Sequence, residues 1–520
     1  MTSSRVARRS WPAFVFAVFL TACGGSTSTP AVDAQQVQQR LDQFVAALTK
    51  PGTDSDVVVK ADGAAKVETK DDGTVVGTLP RLTVTGDDGN TAVLDSITVR
   101  FTNGGEGRVN FEAQLPSTLS VKKKDGTVDG EVKIGSQTLK GVWVEKLQTL
   151  DEVDMRLSNV TITSPSQPGS GKIDQLALTG KLEPKGGGLY DGKYAFKLTG
   201  FNVDDPAEKT VMKIGNLSVS ATMTGAKMEA WAAAAKEAGY TLSNPELFKV
   251  WTGGPIDPKM VAFMKRMPEF MGAVDYVYNV DGIDMTQDGK AAFSLKQTSL
   301  GFGAGPDGKG KTKIKMTMSM GGMATGSEEL LPPEADVQNA VIDIDASGVP
   351  GQALWDVYID SLPRLQAAAA KAAGDTATGS ADATTAGTAA VEEVTAELSS
   401  KAMEVLMAAK LAVALNKLDL ITPTAKMTGK GAATYLATEG MPEGTVSLRF
   451  SGIDALAKAM EKRGPQDDMA QQIMGVVAGV RAMGKPDPAS PKDDRAYIID
   501  IQFTKDGKVL ANGQDMLGGP

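Results

Sequence analysis

Of the side chains that do chemistry near neutral pH, histidine is absent from the 520 residues and cysteine occurs once, at Cys23. Without histidine there is no imidazole base, no His-containing zinc site and no Ser-His-Asp triad. A lone cysteine cannot form a disulfide within the chain. Catalysis would have to use Asp, Glu, Ser, Thr, Lys or Tyr, and their spacing marks no catalytic set. The sequence assigns no catalytic residue, no metal ligand and no cofactor.

Four local patterns deserve weighing. Gly305-Pro306-Asp307-Gly308-Lys309-Gly310-Lys311-Thr312 fits the spacing of a phosphate-binding loop. Such a loop needs a helix starting at its Lys-Thr, so that amide groups meet the phosphates. Here Lys313 to Met318 alternate as a strand does, and Pro306-Asp307-Gly308 reads as a turn, so no nucleotide is expected. Met316, Met318 and Met320 share one strand face, with Met323 beyond. Thioethers suit soft metals, but flexible methionines also fill cores, and core is the expectation. Asp343, Asp345, Ser347 and Gly348 imitate the start of a calcium loop, yet Leu354 stands where a bidentate Glu is needed. Ser120-Val121-Lys122-Lys123 has a Ser-x-x-Lys spacing on a strand end rather than on the required helix. Lys122 to Lys124 read as a solvated edge that discourages strand pairing.

The surroundings of Cys23 are more specific. Arg5, Arg8 and Arg9 precede an apolar run from Ala13 to Leu20, followed by Leu20-Thr21-Ala22-Cys23 and the Gly/Ser/Thr-rich Gly24 to Thr29. Charge, short apolar run and small residues make an export signal, too short to span a membrane. The segment resembles the lipobox of bacterial lipoproteins. That resemblance implies cleavage before Cys23 and lipid on its sulfur, with residues 1–22 as signal peptide and 23–30 as tether. Several acyl chains, at about 0.8 kcal/mol per buried methylene, hold such a protein to a membrane. Gly24 rather than Asp after the cysteine resembles the outer-membrane sorting pattern, so the periplasmic face of the outer membrane is the expected location. Cleavage removes three arginines and no acid. It leaves 51 basic against 63 acidic residues, a net charge of −12 in place of −9. That balance argues against nucleic acid as a partner.

The elements that would position any site follow from periodicity. Ala31 to Lys50 reads as a helix, with Val37, Leu41, Phe44, Val45 and Leu48 on one face and Asp33 as N-cap. From about 56 to 224 apolar residues alternate, as in Ile97, Val99, Phe101 and in Tyr194, Phe196, Leu198. Asp-Gly and Asn-Gly turns separate the runs, which predicts antiparallel strands with one dry face. Three strands end in a hydroxyl residue and a glycine before a helix: Thr224-Gly225, Ser347-Gly348 and Ser451-Gly452. They read as an internal repeat in which the hydroxyl caps the helix and the glycine turns the chain. The expected fold is α+β, a long antiparallel β-meander with one apolar face, packed by helices inserted after strand–Gly units. The expected regions are 31–225 (helix plus meander), 226–365 (helical insertion and second strand region), 366–395 (low-complexity linker) and 396–520 (C-terminal α+β region). The linker is expected to be helical only at its Ala-rich start, and Leu398, Met403, Leu406, Leu411 and Leu415 are read as one helix after it.

Two helical pieces, 245–252 and 258–272, carry Trp251, Met260, Phe263, Met264, Met267 and Phe270, a soft apolar cluster that could line a ligand cavity. Ordinary core is the plainer reading. The opening helix, one-faced meanders, strand–Gly–helix units and the closing Lys508 to Gly513 hairpin resemble the bacterial domain of unknown function 2125 and, more distantly, AsmA-type envelope proteins. The second resemblance implies a sheet with an apolar groove for envelope lipid. The functional expectation is a non-enzymatic, lipid-anchored envelope protein that binds lipid or other apolar molecules. The competing expectations are an assembly lipoprotein without small ligand and a carboxylate- or serine-based envelope hydrolase, which would need paired carboxylates about 5–10 Å apart in a cleft.

Overall fold

A computed structural model describes residues 32–49, 58–86, 89–164, 169–240, 256–326, 332–377, 381–435, 442–464, 466–491 and 495–516. Cys23, its flanking signal and Trp251 lie outside these residues. The chain is of the expected α+β class and dominated by antiparallel strands. It forms two compact units, residues 1–211 with 220–271, and residues 212–219 with 272–520. Residues 226–271, expected to open the second region, thus belong to the first unit.

In the first unit, nine strands pair antiparallel in the order 66–69, 75–79, 97–105, 108–114, 128–144, 118–122, 91–94, 82–85, 58–61. Helix α1, Ala34–Thr49, packs against both terminal strands of this series and so covers the seam between them. Gln38 ties it there by donating from Nε2 to the Ala65 carbonyl at 2.9 Å. Asp33 caps the helix as expected, its Oδ1 accepting from Gln35 N at 2.8 Å. The apolar stripe of α1, Val37, Leu41, Phe44 and Val45, enters one core with Val75, Leu79, Leu82, Phe101 and Trp143. Phe101 and Trp143 retain no exposure, so the interior of this wrapped sheet is filled by its own side chains. Strand 128–144 continues outward through Thr149–Thr163, Ser170–Gly186 and Leu189–Asp205.

The second unit is a meander in sequence order. Strands Ala273–Gln287, Lys290–Pro306, Thr312–Thr325, Asn339–Val349, Leu411–Ile421, Lys426–Tyr435, Pro442–Ser451 and Tyr497–Phe503 each pair antiparallel with the next. Two helical pairs interrupt it.

The strand–Gly–helix unit recurs at all three expected places. Ahead of α2 (Met228–Glu237), α5 (Gly351–Ala377) and α7 (Ile453–Arg463), the glycines 225, 348 and 452 share a left-handed φ of 70°, 76° and 71°. Only glycine takes that conformation without steric cost. The expected hydroxyl caps do not form at two of these helices. The N-cap of α2 is Lys227 and that of α7 is Gly452, neither with a side-chain cap. The glycine already turns the chain, and Ser451 instead donates to the Lys426 carbonyl on the neighbouring strand.

Between α2 and the second unit lie α3 (Pro258–Lys265) and α4 (Met267–Phe270). The expected linker 366–395 is mostly helix, within α5 and α6 (Ala381–Met407). Alanine has the highest helix propensity, and here it outweighs the interspersed Gly and Thr. The helices form a hairpin clamped by Arg364, whose two nitrogens donate to the Glu397 carboxylate at 2.7 and 2.6 Å. The helix read through Leu411 and Leu415 ends at Met407, and Leu411–Ile421 is a strand. Its leucines are taken by pairing with Asn339–Val349 and Lys426–Tyr435. After α7 comes α8 (Asp468–Met483), capped by Asp467 Oδ1 accepting from Ala470 N at 2.9 Å.

Candidate functional site

The residues first considered for ligand lining are placed in packed surroundings. Met260, Phe263, Met264 and Phe270 are buried, on α3 and α4, while Met267 is half-buried. The phosphate-loop lookalike is a hairpin turn, as the alternation predicts. Asp307 N donates to Lys311 O, Asp307 Oδ1 accepts from the amides of Lys309 and Lys311, and strand Thr312–Thr325 follows without a helix. Ser120 and Lys122 lie within strand Thr118–Lys122. Asp343 and Asp345 lie on strand Asn339–Val349, where Asp343 accepts from Asn416 at 3.1 Å and Asp345 pairs with Lys313 at 3.0 Å.

Methionines 316 and 318, expected to fill a core, are instead 42% and 37% exposed. Strand register explains what surrounds them. Tyr276, Phe302, Met316, Ile344 and Leu415 stand opposite one another across five strands. The next row on the same face is Tyr278, Leu300, Met318, Ile342 and Leu418. Val274, Ala304, Ile314, Ala346 and Val413 form the row before, and Val280, Thr298, Met320, Ala340 and Leu420 the row after. Successive side chains alternate between faces, so all these residues share one side of the sheet. Tyr276, Tyr278, Leu300, Phe302, Met316 and Met318 are each between 37% and 46% exposed.

The opposite side is polar. It carries Asp275, Asn279, Lys315, Thr317, Ser319, Asp343 and Asp345, with the Lys313–Asp345 pair and an Asn216-to-Asp281 hydrogen bond of 3.1 Å. Water therefore solvates one face while the other presents hydrocarbon to it. Four rows at about 3.3 Å per residue run about 20 Å, and five strands at about 4.8 Å span about 19 Å. Within that stretch the exposed Tyr276, Tyr278, Leu300, Phe302, Met316 and Met318 adjoin one another across three strands, a contiguous patch rather than exposed side chains scattered singly.

The sheet edge beyond this face is covered. Phe450 and Tyr497, paired on adjacent strands, pack against Ile453, Ala457, Val477 and Val480 of α7 and α8. Arg481 of α8 pairs with Asp454 of α7 at 2.5 Å, which joins the two helices, and Arg449 on the strand pairs at 2.8 Å with Asp487 in the segment that follows α8. The open face is thus bounded on that side by a helical wall.

Buried acid chemistry lies elsewhere. Asp151, 6% exposed, pairs with Arg108 at 2.8 Å. Burial raises its pKa and Arg108 pulls it back. Burial, with the charge of Asp151 adding, pushes Tyr194 up to about 12. An open notch of about 600 Å³ beside α1 is lined by Asp42, Val45, Ala46, Thr49 and strand Val58–Ala61 with its small following residues. It presents neither a large apolar wall nor paired acids. Among the described residues, no helix is long and apolar enough to cross a membrane.

Residues 273–513 match the model of a family described as an uncharacterized protein conserved in bacteria, the domain of unknown function 2125. The match begins at the first strand of the open apolar face and takes in the whole meander of the second unit. No curated protein and no solved structure matches the chain.

Proposed function

We propose that the chain is a non-enzymatic envelope lipoprotein that binds lipid chains or comparable apolar molecules on the open face of its second unit. The single observation that supports this most strongly is the register that sets Tyr276, Phe302 and Met316, then Tyr278, Leu300 and Met318, side by side and exposed to solvent, with the half-buried Ile344 and Ile342 next in each row. Covering a side chain of this kind contributes about 1.5–3 kcal/mol when burial is complete. A flat face of methionine, leucine and aromatic residues has no directional groups, so it suits chains that vary in length and branching better than one rigid ligand. The family match carries only an uncharacterized bacterial domain; the envelope location and the AsmA-like role are part of the proposal, resting on the Cys23 segment and on this face.

The test uses the mature chain with Cys23→Ser, so that no covalent lipid contributes. Purified without detergent and extracted with organic solvent, it should yield lipid near one equivalent by mass spectrometry. It should also enhance the fluorescence of N-phenyl-1-naphthylamine, a neutral apolar probe. A chain that carries no lipid and leaves the probe dark would end the reading. In parallel, the unaltered chain should incorporate labelled palmitate in a bacterial host and Cys23→Ser should not.

A further inference from the structure

The ends of the open face differ in charge. At one end, residues 307–315 hold four lysines, 309, 311, 313 and 315, against one acid, Asp307, in a chain of net charge −9. Lys313 and Lys315 alternate onto the polar side, where Lys313 is tied to Asp345. Lys309 and Lys311 are exposed in the turn between strands Lys290–Pro306 and Thr312–Thr325, just beyond Ala304 and Ile314 in the first row of the apolar face. Lys410 is exposed at the start of strand Leu411–Ile421, and its carbonyl lies against Gly348 beside that same end. Strand Asn339–Val349 lies between, so the lysines stand two strand spacings apart, about 10 Å. Among the described residues, Lys309, Lys311 and Lys410 make no ion pair. The carboxylate of Asp307 is taken up by the backbone amides of Lys309 and Lys311. The other end of the same strands carries Asp281, Asp284 and Asp288 with Lys290 and Lys296, so the excess of positive charge is confined to one side.

We infer that the face takes amphiphiles with an anionic head group, the chain laid along the strands and the head group at Lys309, Lys311 and Lys410. This rests on the apolar-face reading and adds polarity to it. An ammonium on a flexible stem can meet a phosphate or carboxylate without fixed geometry, and the acid of the turn, Asp307, is already held by backbone amides. The overall acidity of the chain would repel such a head group elsewhere. Attraction at an exposed end is screened by salt, so the preference should shrink as ionic strength rises.

The experiment compares dodecyl phosphate with dodecyl maltoside, equal chains with charged and neutral heads, below their micelle thresholds, by calorimetry on the full mature chain carrying Cys23→Ser. Dodecyl phosphate should bind at least ten-fold tighter. Lys309→Gln, Lys311→Gln and Lys410→Gln combined should erase that advantage and leave the maltoside affinity unchanged. Inorganic phosphate alone should neither bind nor compete. Equal binding of both amphiphiles overturns the head-group inference and leaves the apolar face standing. Competition by inorganic phosphate also overturns it, because the lysines would then form an anion site independent of the chain. Failure of both amphiphiles to bind removes the apolar-face reading and the inference with it.

Discussion

Glu397 joins the two helices of an inserted hairpin through an exposed ion pair with Arg364. Hydrogen bonds and charge from Arg364, then Lys401, hold its carboxyl at about 2, well below the usual carboxylate range. A carboxylate whose pKa is depressed by folding contributes stability above its unfolded pKa, and that contribution fades as pH falls toward the folded value. The α5–α6 hairpin should therefore loosen between about pH 4.5 and about pH 2. Protection factors of amides within 351–369 and 389–407, with the intrinsic pH dependence of exchange divided out, should fall across that window while those of the core around Phe101 hold. Glu397→Gln should already show the lower protection at pH 7 and should flatten its pH dependence. Exchange in the hairpin that does not respond to Glu397→Gln would show that the clamp is incidental. Apart from such pairs, the residue inventory is restrictive: with no imidazole in the chain, proton transfer would fall to Asp, Glu, Lys or Tyr.

At the scale of elements, the three turn glycines test what a left-handed residue is worth when its surroundings differ. A β-carbon at Gly225 would meet nothing within 4 Å, whereas at Gly452 it would lie 2.1 Å from the Thr424 carbonyl oxygen. Gly225→Ala should cost only the left-handed penalty of about 1–2 kcal/mol. Gly452→Ala should cost more, because backbone rather than a pliable side chain blocks the new atom. Denaturant titrations that separate the two units would check the order; equal costs would argue that the chain relaxes freely at Gly452. Strands and turns of this kind were readable from alternation and Asp-Gly pairs because each is a local property. The exceptions come from partners. Leu411 and Leu415 fit a helical spacing as well as they fit a strand, and only pairing on both sides decides between them. In strand 128–144, Ile134 and Leu139 differ in parity yet enter one core. The change falls opposite Asn159, which sits at a left-handed φ of 51°, a conformation that nothing in its neighbours announces.

For the molecule as a whole, the contrast between its units is what matters. The first fills its interior, with Trp143 and Phe101 sealed by α1 and the wrapped strands. The second leaves rows of large apolar side chains open beside a helical wall. Because Phe302 and Met318 are 45% and 37% exposed, exchanging both for Asp should change stability by no more than about 1 kcal/mol. Affinity for N-phenyl-1-naphthylamine should fall at least ten-fold. A variant that unfolds would show that this face is core, and one that binds the probe as before would move the ligand elsewhere. The methionine strand illustrates why the site was hidden. Met316, Met318 and Met320 were visible as one face, but flexible methionines read first as core filling, and nothing along the strand shows that the face stays uncovered.

The sequence by itself determined the chemistry that is available and the local geometry. It set the absence of histidine, the unique cysteine in its lipobox-like setting, the one-faced strands and the glycines that turn strand into helix. These depend on residue type and near neighbours alone. Tertiary structure decided which apolar face is covered. Met260, Phe263 and Phe270 went inside, while Tyr278, Leu300 and Met318, no less apolar, stayed in water. Burial is a property of what another part of the chain places on top, and no spacing along one strand can report it.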